Sequence, residues 1–141
     1  MNDDGSGDTT PFVIRSDGNV GIATTQPTAR LEVDGAIFSK RYTSSDGGTI
    51  AVDWTNGNVQ SVTLAGDRTF TFAGGQDGGK YTLIIKQDST GSRTVAWPAA
   101  VRWPGAVAPT LTTTASKTDY FGFLYNGVDS KYDGIAQSLN F

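Results

Sequence analysis

Fourteen carboxylates, thirteen of them Asp, are the side chains of this 141-residue sequence best placed to do chemistry. Two such groups held about 5 to 10 Å apart can hydrolyse a glycoside. Yet Asp17, Asp34, Asp46, Asp77 and Asp133 each precede Gly, which is the chemistry of turns. Asp53 falls within a strand-like run and Asp119 begins another. There is no His to act as general base and no Cys to act as thiolate or to form a disulfide. A Ser nucleophile would have only Lys or Asp as its base, and no G-x-S-x-G stands anywhere in the chain. No enzyme is expected, and no catalytic residue is assigned.

Other chemistries fare little better. "AGGQDGGK" (Ala73 to Lys80) is Gly-rich and ends in Lys, but it lacks phosphate-loop spacing and precedes a strand pattern rather than a helix. It reads as the loop of a hairpin. "DSTGSR" and "DGN" carry oxygen ligands without the spacing or closing Glu of a calcium loop, so no metal and no cofactor is expected. A surface ion held between chains stays open. The net charge of -3, with basic residues scattered and Lys40-Arg41 the only adjacent pair, gives no footprint for nucleic acid. No apolar run approaches the ~20 residues of a membrane helix, so no membrane insertion is expected. Trp97-Pro98 and Trp103-Pro104 offer aromatic faces that could stack on sugars. Trp before Pro is also biased to extended backbone, and packing in the core or between chains is the preferred role.

These residues need strands to hold them. From Thr49 onward "TIAVDW", "VQSVTL", "TFTF", "YTLIIK", "TVAW", "DYFGFLY" and "KYDGIA" alternate apolar and polar residues between Gly-, Asn- and Asp-rich turns. With turn signals at intervals of roughly 8 to 12 residues, this is the pattern of an all-β sandwich or barrel. No window sustains helical periodicity. Residues 45–141 hold all three Trp and the aromatics Phe70, Phe72, Phe121, Phe123 and Tyr81. That suffices for a self-contained antiparallel, jelly-roll-like sandwich with Trp54, Leu64, Phe70, Phe72, Leu83, Ile85, Val95 and Phe123 in its core.

Residues 11–44 differ. Phe12 and Ile14, then Val20 and Ile22, alternate about the turn "SDGN", and Leu31 and Val33 follow Pro27. Such a segment has too little apolar surface to offset its own ordering entropy. It reads as a β-stalk ordered by other chains, with Val20, Ile22, Leu31 and Val33 at the interface between copies. Residues 1–10, "MNDDGSGDTT", read as a flexible leader, and its shortness points to a fragment of a longer protein.

"DGNVGIATTQPTARLEVDGAI" resembles the segment GNVGIGTTxPxAxLxVxG that recurs in bacteriophage tail fibres and tail spikes. Ala23 stands where that family usually has Gly. The text from "VDWTNGNVQ" to "VRWPG", "PTLTTTASKTDYFGFLYNG" and the closing "YDG" and Asn140-Phe141 are similar to the C-terminal domains of tail fibres. The resemblance implies a homotrimer, its stalk intertwined with two identical copies and its globular part a knob at the fibre tip. It implies a virion tail protein that attaches to host-cell surface carbohydrate or to an outer-membrane protein. The lack of Cys fits assembly in the bacterial cytoplasm. The alternative is a structural trimerisation tip or virion decoration protein without a ligand; a polysaccharide depolymerase is the weaker third. If successive strands reverse direction, "TNGN" and "AGGQDGGK" lie at the end of the knob far from the stalk. Asn56, Asn58, Gln76, Asp77 and Lys80 are then candidate ligand-binding residues, with Trp103 or Tyr125 as the stacking face.

Overall fold

The computed structural model describes residues 12–141, so the expected leader at 1–10 lies outside the described residues. The chain divides into two compact units between Phe38 and Ser39. In the first, β1 (Phe12–Ile14) and β2 (Val20–Ile22) make an antiparallel hairpin, and β3 (Leu31–Val33) runs parallel to β2. Asp17 closes the turn by accepting the Asn19 N–H at 3.0 Å, while Gly18 N–H donates to Arg15 O.

The second unit contains β4 (Tyr42–Thr43), β5 (Thr49–Asp53), β6 (Val59–Leu64), β7 (Arg68–Ala73), β8 (Lys80–Gln87), β9 (Val95–Ala96), β10 (Val101–Arg102), β11 (Thr118–Asn126) and β12 (Lys131–Ser138). Short 3-10 turns stand at Trp54–Asn56 and Pro104–Ala106, and no α-helix occurs among the described residues. The fold is all-β, as the alternation and turn spacing require. Strands order as β10-β12-β11-β8-β6-β4 in a six-stranded sheet and as β5-β7-β9 in a three-stranded one.

The expectation of antiparallel pairing needs correction. Only β8–β11 and β11–β12 pair antiparallel in this unit. The pairs β4–β6, β6–β8, β5–β7, β7–β9 and β10–β12 are parallel. From β4 to β10 the chain steps from one sheet to the other at every turn, so a strand's neighbour in its own sheet is two elements away. Those two strands run the same way. Turns between consecutive strands look like hairpin turns in the sequence, but here they join strands of different sheets.

Alternation does predict the buried face. Ile50, Val52, Trp54, Val62, Leu64, Phe70, Leu83, Ile85, Phe121 and Phe123 are all buried. Phe72 and Val95, expected in the core, are half-buried at its border. The two sheets meet across aromatic rings. Phe72 of β7 lies edge-on to Phe123 of β11 at 5.4 Å, and Phe70 stacks on Trp97 at 5.6 Å. Such aromatic pairs stabilise by about 0.5–1.5 kcal/mol each beyond the area they bury. Two buried Gln serve as extra backbone. Gln60 Nε2 donates to Asp53 O at 2.6 Å, and Gln87 grips the backbone of Arg93, its Nε2 donating to Arg93 O at 3.0 Å and its Oε1 accepting Arg93 N–H at 2.9 Å. Each satisfies a loop that would otherwise leave buried polar atoms unpaired.

Candidate functional site

Parallel pairing of β5 with β7 and of β6 with β8 brings the β5–β6 and β7–β8 connections to one end of the second unit. β11 runs against β8, so the β11–β12 turn joins them there. In the first loop Asp53 caps the turn, its Oδ1 accepting from Thr55 N–H at 3.0 Å and Thr55 Oγ1 at 2.8 Å. Those bonds, the backbone one foremost, hold the Asp53 carboxyl below its ordinary range. Asn56 is exposed at the end of the turn. Asn58 reaches to the second loop, its Nδ2 donating to Lys80 O at 3.0 Å.

The second loop is pinned from beneath by two phenols. Gly75 N–H donates to Tyr132 Oη and Gln76 N–H to Tyr81 Oη, both at 2.9 Å. At Gly74 a positive φ of 74° and the close approach of Asp53 and Thr55 leave no room for a side chain. Asp77 Oδ1 accepts Gly127 N–H at 2.7 Å and ties the loop to the β11–β12 turn. Gln76, Asp77 and Lys80 are exposed. Asn56, Asn58, Gln76, Asp77 and Lys80 therefore share one end of the unit.

The two candidate stacking residues are placed differently. Tyr125 sits beneath this loop, half-buried, its ring 4.7 Å from that of Tyr132. Its backbone pairs with Gly79 O and Gly78 N–H, so it belongs to the loop's foundation. Trp103 is not in this group. It follows β10 at the other edge of the core, 5.0 Å from Trp97 and 5.6 Å from Phe123. Its ring lies flat enough on Gly134 that any Cβ there would collide with it. Together with Pro104, Val107, Pro109 and Ile135 it lines an apolar recess of about 320 Å³. Ile135 is the extra residue of a β-bulge opposite Gly122 and Phe123, which turns it outward.

In the first unit the register gathers the interface candidates. Val20 pairs with Leu31 and Ile22 with Val33; across the hairpin Ile14 pairs with Val20 and Phe12 with Ile22. Directly paired residues point to the same side of a sheet. Six apolar side chains thus form one face, on which Leu31 is 60% and Ile14 59% exposed.

The carboxylates do structural work. Asp46 pairs with Arg68 at 2.6 Å, Asp88 with Arg93 at 2.8 Å, and Asp133 and Asp129 both with Arg102. Arginine hydrogen bonds are the leading reason that Asp46, Asp88 and Asp133 titrate below the ordinary range. Buried Asp119 accepts Thr112 N–H at 2.7 Å and Asn140 N–H at 3.0 Å.

One surface escaped the sequence reading. The outer side of the six-stranded sheet carries a polar groove of about 360 Å³ whose lining includes Arg41, Lys86, Thr43, Ser61, Thr63 and Tyr120. Its signal in the sequence is the polar half of the alternation in β6 and β8.

The family model described as "Putative phage tail fibre C-terminal domain" matches residues 44–130. The match covers more than half of the chain, and the chain belongs to this family of phage tail fibre C-terminal domains. It is accordingly a virion tail component. No curated protein and no solved structure matches it.

Proposed function

We propose that this tail fibre domain acts in host-cell attachment, as the receptor-binding tip of a homotrimeric fibre. Family membership over residues 44–130 is the observation that carries the reading, because a tail fibre is the part of a phage that meets the cell. The exposed apolar face of β1, β2 and β3 supports the trimer. A small sheet with one unpartnered apolar face is stable only when something covers it, and closed symmetry lets identical chains do so. In this reading the first unit is an intertwined stalk and the second a sandwich-like knob, assembled in the host cytoplasm. The domain is not an enzyme; the engagement of its carboxylates by arginines and backbone N–H groups supports this.

A second reading, a structural tip with no ligand, is favoured by one observation. Asp77 and Asn58, two of the exposed candidates, spend side-chain bonds on holding loops together. Adsorption of the fluorescently labelled protein to a panel of bacterial strains separates the readings. Saturable binding to some strains and not others is expected of the receptor-binding tip. Uniform absence of binding leaves the structural tip.

A further inference from the structure

We propose that the groove on the outer face of the six-stranded sheet binds an acidic polysaccharide, a hydroxyl-rich chain bearing carboxylates at intervals. The inference deepens the attachment reading and rests on it for its setting. It begins with register. Thr43 pairs with Ser61, Ser61 with Ile84, and Ile84 with Tyr120, so these four form one rung across β4, β6, β8 and β11. Thr63 pairs with Lys86 and Lys86 with Thr118, which makes the next rung. The intervening residues Val62, Ile85 and Asp119 point the other way and are buried.

The outer face therefore presents hydroxyls in rows, with two cations beside them. Arg41 and Lys86 are both exposed, and neither forms an ion pair with another described residue. This sets them apart from Arg68, Arg93 and Arg102, each held by an Asp. Among the described residues no carboxylate lines the groove, although the chain as a whole is acidic. With no described carboxylate beside them, the cations suit a ligand's carboxylates, Arg41 by a bidentate pair. The Thr and Ser hydroxyls both donate and accept, as sugar hydroxyls require. Ile84 and the 39%-exposed ring of Tyr120 supply a floor for the apolar face of a sugar ring. Two cations suit sparse charge. A nucleic acid, with a charge every ~1.7 Å of duplex, would call for a denser row.

The test is direct binding of the purified protein to oligogalacturonate, alginate and polysialic acid oligomers, with methyl-esterified oligogalacturonate and dextran as neutral controls. Expected is salt-sensitive binding to at least one acidic oligomer and none to the neutral ones. Arg41→Ala combined with Lys86→Ala should weaken it about tenfold or more, the scale of losing charge-assisted hydrogen bonds. Both positions are exposed, and an unchanged melting temperature verifies that the variant is folded. Binding to none of the three acidic oligomers, equal binding to the esterified control, or undiminished binding by the double variant overturns the groove. Adsorption to cells is read in parallel. Cell binding without binding to acidic oligomers refutes the groove and leaves the attachment reading standing. Oligomer binding without adsorption to any strain supports the groove and refutes attachment.

Discussion

Asp77 Oδ1 accepts the backbone N–H of Gly127, fifty residues further along the chain, at 2.7 Å. The bond joins the Gly-rich β7–β8 loop to the short β11–β12 turn and ties the two into one end of the unit. Asp77→Ala should therefore lower stability by about 1 kcal/mol, the usual worth of one such bond. Asp77→Asn keeps an oxygen in the same place and should recover most of it. Chemical denaturation of the two variants checks this; equal losses would mean that charge, not the bond, matters.

This bears on how attachment is mapped. Gln76 and Lys80 are exposed, and neither side chain forms a hydrogen bond with another described residue. Gln76→Ala with Lys80→Ala should weaken adsorption to a permissive strain without moving the melting temperature. Unchanged adsorption would remove this loop end from the contact surface.

The apolar face of the first unit predicts assembly. Light scattering should give about three times the 14.9 kDa chain mass. Ile22→Asp with Leu31→Asp puts two charges on that face and should yield monomers in which the second unit still melts cooperatively. A normal trimer in the double variant would contradict the assignment.

The core prediction is quantitative. Leu83 and Phe123 are fully buried at the centre of the six-stranded sheet. Leu83→Ala should cost about 2–5 kcal/mol and Phe123→Ala about 3–5 kcal/mol. Losses below about 0.5 kcal/mol, the scale of surface substitutions, would contradict their burial.

Acid should destabilise the fold in a defined window. Asp46, Asp88 and Asp133 are held below the ordinary Asp value of 3.8 by arginine hydrogen bonds, and Asp53 and Asp67 chiefly by backbone N–H groups. A carboxyl with a depressed folded-state pKa binds its proton more readily when unfolded. Its stabilisation is complete above the unfolded value, near 3.8, and is lost as pH falls through the lowered folded values. The melting temperature should be flat from pH 7 to about 5 and fall below about pH 4. Asp133→Asn should make that fall shallower, because one titrating group is gone.

Much of this was legible in the chain itself. Alternation in "VQSVTL", "TFTF" and "YTLIIK" identified Leu64, Phe70, Leu83 and Ile85 as core, because side chains of a strand point to opposite faces whatever the strand pairs with. Most Asp-Gly and Asn-Gly pairs marked turns, since Gly and Asx residues tolerate those backbone angles, but Asp133-Gly134 stands inside β12, where Gly makes room for the Trp103 ring. The resemblance to tail fibres rested on local text and agreed with the family match. What local text does not carry is the partner of each strand. Alternation is the same for parallel and antiparallel neighbours, so the step from sheet to sheet between β4 and β10 was invisible, and hairpins were expected where crossovers stand. The same blindness hid the groove, where Arg41, Ser61, Lys86 and Tyr120 come from four separate stretches. It also misplaced Trp103, which packs over Gly134 rather than beside the loops. Sequence determined the strands, their buried faces and their turns, all of which are local. Tertiary structure alone decided which surfaces those strands assemble, because register between distant segments is set by the packing of both sheets at once.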